Sequence, residues 1–138
     1  AAAWSLISQI YDRLKDYERA VSAASLALRM CRHTYGEHHP QTAVMMGNYA
    51  LTLSWAERHS EAEPIYREAL RVLGEAWGKA HPERATVAAN LATLLAEQER
   101  YEEALPLEEE ALKARLEVLG EGHPQVGYSF NNLATLLL

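Results

Sequence analysis

The dipeptide His-Pro occurs at His39-Pro40, His81-Pro82 and His123-Pro124, a spacing of 42 residues each time. The same period carries Gly36, Gly78 and Gly120, and the triplets Asn48-Tyr49-Ala50, Asn90-Leu91-Ala92 and Asn132-Leu133-Ala134. Ala27-Leu28, Ala69-Leu70 and Ala111-Leu112 follow it as well. A fixed period in this range requires a stacked array, because one unit cannot bury its apolar face alone. Such a chain is stabilised by contacts between neighbouring units and offers an extended surface to a partner.

Residues 43–84 show what one unit is made of. Met45, Met46, Tyr49, Ala50 and Leu53 recur at spacings of three and four, which predicts an amphipathic helix. The pattern fades at Ala56-Glu57-Arg58-His59-Ser60, a short polar turn. A second stripe runs through Ala62, Ile65/Tyr66, Ala69, Leu70, Leu73 and Trp77. Gly78 then suits a left-handed residue just past a helix end, and Pro82 suits the first turn of the next helix. Each unit therefore reads as helix A, tight turn, longer helix B. His39, His81 and His123 stand at the cap position, where a ring could accept from an orphan N–H or pack on the preceding helix end.

The units are expected at about 1–42, 43–84 and 85–126, followed by a lone A helix at 126–138. The chain opens and stops inside helical patterns, so a segment of a longer protein is expected. Ala and Leu dominate the apolar set, which favours close-packed helices over sheets. No apolar run approaches the roughly 18 residues of a membrane span. The net charge of −6 speaks against nucleic acid. Residues 85–126 carry 3 basic and 9 acidic side chains, nearly the whole excess. Cys31 is the only cysteine, so no intrachain disulfide is available, and the reading is a cytoplasmic protein.

Trp4-x2-Ile7-Ser8-x2-Tyr11 followed by Ala20-x3-Ala24-x2-Ala27 resembles the tetratricopeptide signature. The 42-residue length, the Asn-Leu-Ala core of helix A, the Tyr-Glu-Glu-Ala-x-Pro-Leu start of helix B and the Leu-Gly-x-x-His-Pro linker resemble the kinesin light chain type. The resemblance implies an all-α, right-handed superhelical solenoid whose A helices line a concave, peptide-binding face. Three residues depart from the pattern: Leu6 where the later units have Asn, Glu108 where unit 2 has Tyr66, and Arg115 where it has Leu73. Either that last stripe is partly exposed, or Glu108 and Arg115 find charged partners, because an unpaired buried charge is too costly.

Chemistry finds little support in the residues. His33, His38 and His39 lack a Cys or carboxylate that would complete a metal set, and His39 belongs to the repeated linker. The serines are not arranged as nucleophiles, and the glutamate runs read as solvated helix faces. Cys31 falls in the apolar stripe Ala24-Ala27-Leu28-Cys31-Tyr35 and reads as core. No catalytic residue, metal or cofactor is expected. The groove remains. By resemblance, Asn48, Asn90 and Asn132 match a ladder that grips a peptide backbone, since an Asn amide both donates and accepts. The alternative is that each bonds within its own helix pair. The same face should present Gln9, Leu51, Thr93 and Thr135, then Arg13, Trp55 and Glu97. Apart from Arg13 it lacks basic residues, so a neutral or mildly basic peptide is expected. The function is thus a scaffold that binds a protein or peptide segment; the other reading is an internal scaffold or sensor arm of a larger signalling or effector enzyme. Residues 126–138, with Phe130, Leu133, Ala134 and Leu137 on one stripe, should also favour self-association.

Overall fold

A computed structural model describes residues 2–137; the side chains of residues 2–5, 8, 11 and 12 lie outside the described set, as does Leu138. Trp4, Ser8 and Tyr11 of the signature therefore fall outside it. Six helices follow one another: α1 (Ala2–Tyr35), α2 (Pro40–Trp55), α3 (His59–Trp77), α4 (Pro82–Glu97), α5 (Tyr101–Leu119) and α6 (Pro124–Leu137). Each packs on the next in chain order, and α2 also touches α4. The core runs between them as a continuous seam that includes Met46, Leu53, Tyr66, Leu73, Leu91 and Leu95. Small residues sit where the helices cross: Ala50, Ala62, Ala69, Ala92, Ala104 and Ala111 are all buried.

The repeated linker performs the same task each time. Gly36, Gly78 and Gly120 have φ of 95°, 85° and 83°. At Gly78 and Gly120 ψ is 164° and 165°, so the backbone is extended rather than left-handed helical, in a region open essentially to glycine alone. Three residues later the histidine ring caps the next helix. The Nδ1 atoms of His39, His81 and His123 accept from the N–H of Gln41, Glu83 and Gln125 at 3.1, 3.1 and 3.2 Å. The rings also pack backwards: His39 stacks on Tyr35 at 4.8 Å and His81 on Trp77 at 4.5 Å. Both roles open to the histidine are thus filled at once. Replacing His81 with alanine should cost about 1 kcal/mol, measured as a lowered midpoint in urea, with metal content unchanged.

The turns inside units 2 and 3 use a different device. Glu57 and Glu99 have φ of 63° and 61°, a left-handed conformation unusual for a side-chain-bearing residue. The N–H of Arg58 bonds the carbonyl of Leu53, and that of Glu57 the carbonyl of Ser54. Arg100 and Glu99 repeat this with Leu95 and Ala96. These paired bonds satisfy the last carbonyls of the A helix. The arginine then ties the turn to the B helix of the preceding unit: Arg58 to Glu18 at 3.5 Å, and Arg100 to Glu63.

Unit 1 departs from the expected helix pair, for α1 runs unbroken from Ala2 to Tyr35. Lys15 stands where Glu57 and Glu99 turn, and Asp16 stands where Arg58 and Arg100 anchor. Continuing the helix here avoids a left-handed residue costing roughly 1–2 kcal/mol. The consequence is exposure. Leu6, Ile7, Ile10 and Leu14 lie open, and Cys31, read as core, is only half-buried.

Candidate functional site

The A helices α2, α4 and α6 carry most of the groove residues anticipated from sequence. Asn48 is exposed, whereas Asn90 and Asn132 are half-buried. Among the described residues no hydrogen bond engages the side-chain amides of Asn48 and Asn90. Leu51 is half-buried beside an exposed Trp55, and Thr93, Glu97 and Thr135 are exposed. Thr93 and Thr135 donate their hydroxyls to the carbonyls of Ala89 and Asn131, one turn back in their own helices.

Four of these residues come together. Thr93, Glu97, Asn132 and Thr135 line an open pocket of about 680 Å³ between α4 and α6. Ala92, Ala96, Tyr101, Glu108, Leu136 and Leu137 complete its lining. Gln9 and Arg13 are exposed on α1, Asn48, Leu51 and Trp55 lie on α2, and Asn90 lies on α4 just before the lining residues; none of the six lines this pocket. Of the added lining, Ala92 and Leu137 stood out in sequence as packing residues, and Glu108 as a charge inside an apolar stripe. Tyr101 opens α5, a position that periodicity assigns to a turn boundary and not to a groove.

Glu108 and Arg115 are both buried, so the stripe of α5 is not exposed. No direct ion pair joins them; they share a polar seam with α6. Nη1 of Arg115 donates to Ser129 Oγ at 2.6 Å and reaches the carbonyl of Gln125 at 3.5 Å. Burial pushes the Glu108 carboxyl above its ordinary pKa, against the opposing pull of Arg115, Asn132 and Ser129. Burial likewise lowers the pKa of Arg115, and the charge of Glu108 opposes that shift. One repeat earlier the seam is apolar, formed by the fully buried Tyr66 and Leu73.

Elsewhere the histidines are occupied structurally. His39 caps α2, and His38 lies 3.5 Å from Arg71. Among the described residues no three His, Cys, Asp or Glu side chains are gathered to hold a metal ion. No described helix is long and apolar enough to cross a membrane.

The architecture is that of a helical-hairpin repeat array, a class that works by displaying a surface. The tetratricopeptide repeat family profile matches residues 1–75, 44–117 and 83–138, and the chain belongs to that family. Crystal structures show the same fold. BtubC (BKLC) from P. vanneervenii superposes with a TM-score of 0.79 at 23% identity, over 96% of this chain and 52% of its own. A kinesin light chain-like protein of Podosopora anserina with nearly identical TPR-like repeats gives 0.81 at 18% identity, over 94% of this chain and 62% of its own. A point variant of that protein gives 0.81 and 18%, over 94% and 61%. The chain thus spans between half and two thirds of these relatives. No curated protein matches it in sequence. Tetratricopeptide repeats mediate protein–protein interaction.

Proposed function

We propose that this array is a non-catalytic cytoplasmic scaffold that holds an extended segment of a partner protein along the face formed by α2, α4 and α6. The observation that carries the reading is the pocket of about 680 Å³ in which Thr93, Glu97, Asn132 and Thr135 converge. Asn48 and Asn90, with amides not engaged by the described side chains, extend the same line toward α2 and can donate to and accept from a peptide backbone at once. The supporting residues stand on helices, which hold their geometry without help from a ligand. The Asn48/Asn90/Asn132→Ala triple variant should lose at least tenfold in affinity for a partner captured by the wild-type chain. Its far-UV circular dichroism should be unchanged. Equal capture by both chains at equal fold would remove the asparagines from the binding role.

The exposed stripe of α6 supports a second kind of contact, association between copies of the chain through residues 126–138. Phe130 and Leu137 are 52% and 66% exposed, and Leu133 and Leu136 are half-buried. Light scattering across a concentration series should show a rising mass that Leu137→Glu abolishes. A constant monomer mass, the same for wild type and variant, would exclude the association.

A further inference from the structure

We propose that the pocket between α4, α5 and α6 selects a cationic side chain, lysine or arginine, of the segment that lies in the groove. The proposal rests on the groove reading and specifies what one part of it recognises. Three observations carry it.

The first is the charge of the lining. Glu97 and Glu108 contribute carboxylates, and no lysine, arginine or histidine lines the pocket. The second is an internal comparison across the repeat. Leu51, Trp55, His59 and Tyr66 stand one period before Thr93, Glu97, Tyr101 and Glu108. The earlier set is bulky and mostly aromatic, and Tyr66 is fully buried. In unit 3 a carboxylate stands in place of each of two large rings, so the same place becomes acidic. The third is an unmet bond. Glu108 is 1% exposed, and among the described residues its Oε1 has no hydrogen-bond partner. A buried acceptor left unpaired is costly, so a donor that reaches it is rewarded. Arg115, Asn132 and Ser129 all draw on the carboxyl, but none of them makes a hydrogen bond to Oε1, and Arg115 directs Nη1 to Ser129.

The remaining lining suits the rest of such a side chain. Ala92, Ala96 and Leu136 offer an apolar wall for an aliphatic stem. Tyr101, half-exposed at the start of α5, adds a ring to which cations are attracted. The raised pKa of Glu108 comes first from burial, and an arriving cation would offset that by favouring the ionised carboxylate.

The test is an amide NMR titration of the 138-residue chain with blocked, otherwise neutral alanine–serine hexapeptides. One central residue is lysine, arginine, norleucine or glutamate. The lysine and arginine peptides should shift the amides of Thr93, Glu97, Tyr101 and Thr135, and should bind at least tenfold tighter than the norleucine peptide. Glu97→Gln and Glu108→Gln should each reduce that preference severalfold. If Glu108→Gln fails to fold, the exposed Glu97→Gln still decides. Equal binding of lysine and norleucine peptides at these amides would overturn cation selection and leave the groove reading standing. Shifts confined to the exposed Glu102, Glu103 and Glu109 would mean general charge attraction and would also overturn it. No shift at any A-helix amide with any peptide would remove both readings together.

Discussion

Replacing Arg115 with leucine should destabilise the array by about 1–3 kcal/mol, because Ser129 loses its buried donor and Glu108 loses the nearby positive charge that opposes its desolvation. Glu108→Tyr combined with Arg115→Leu should be at least as stable as the wild type. The double variant restores to unit 3 the pair that unit 2 uses, Tyr66 and Leu73, both fully buried. Exchanging a buried charged pair for packed apolar groups is often neutral or stabilising by roughly 1–4 kcal/mol. Here the existing arrangement leaves Glu108 Oε1 and Arg115 Nε without partners among the described residues, against the one unpartnered hydroxyl of Tyr66 in unit 2, which favours the exchange. The single variant has a pH signature. Glu108 already titrates above its ordinary value because of burial, and loss of Arg115 raises it further. A raised folded pKa gives stability that is present below the unfolded value and lost as pH rises through the folded one. The deficit of Arg115→Leu relative to wild type should therefore be largest at neutral pH and shrink toward pH ~4.3, the unfolded value of a glutamate. Urea midpoints at several pH values would show it. A pH-independent deficit would mean that Arg115 matters through packing alone.

The sequence made the periodic parts legible. Helix spans in units 2 and 3, the prolines opening α2, α4 and α6, the positive φ of the linker glycines and the capping histidines all depend on interactions within a few residues. Local chemistry that repeats three times is hard to misread. What sequence did not disclose depends on contacts between units. The turns of units 2 and 3 are tied by Arg58 and Arg100 to Glu18 and Glu63 of the preceding helix, whereas α1, with Lys15 and Asp16 at the equivalent positions, runs on unbroken. The pocket is likewise a product of three helices, α4, α5 and α6. The resemblance places Thr93 and Thr135 on one face, and the structure adds Tyr101 and Glu108 of α5 to the lining of the pocket between them. Glu108 and Arg115 could be flagged as anomalous. Their solution, a polar seam with Ser129 and Gln125, required α6 to be in position.

Ala50→Leu should lower stability by about 1–3 kcal/mol, the usual cost of forcing extra methylenes into a filled core. Ala92→Leu should cost clearly less. The repeat makes the two positions equivalent, 42 residues apart, and both alanines are buried at a helix crossing. On sequence alone they deserve the same penalty. The structure separates them. Ala50 packs in a unit where the ring of Tyr66 occupies the core with 0% exposure. Ala92 lines the pocket, where Glu108 replaces that ring and about 680 Å³ lies open. A leucine at 92 can direct its added atoms into that space instead of prising α4 from α5. The same substitution would narrow the pocket, so Ala92→Leu should weaken peptide binding while sparing the fold. Ala50→Leu should do the reverse at this pocket. Thermal or urea unfolding of the two variants, with peptide titration of each, measures both halves. Equal destabilisation would show that α4, α5 and α6 close together in solution and that the pocket offers no room for a side chain, whether the protein's own or a partner's.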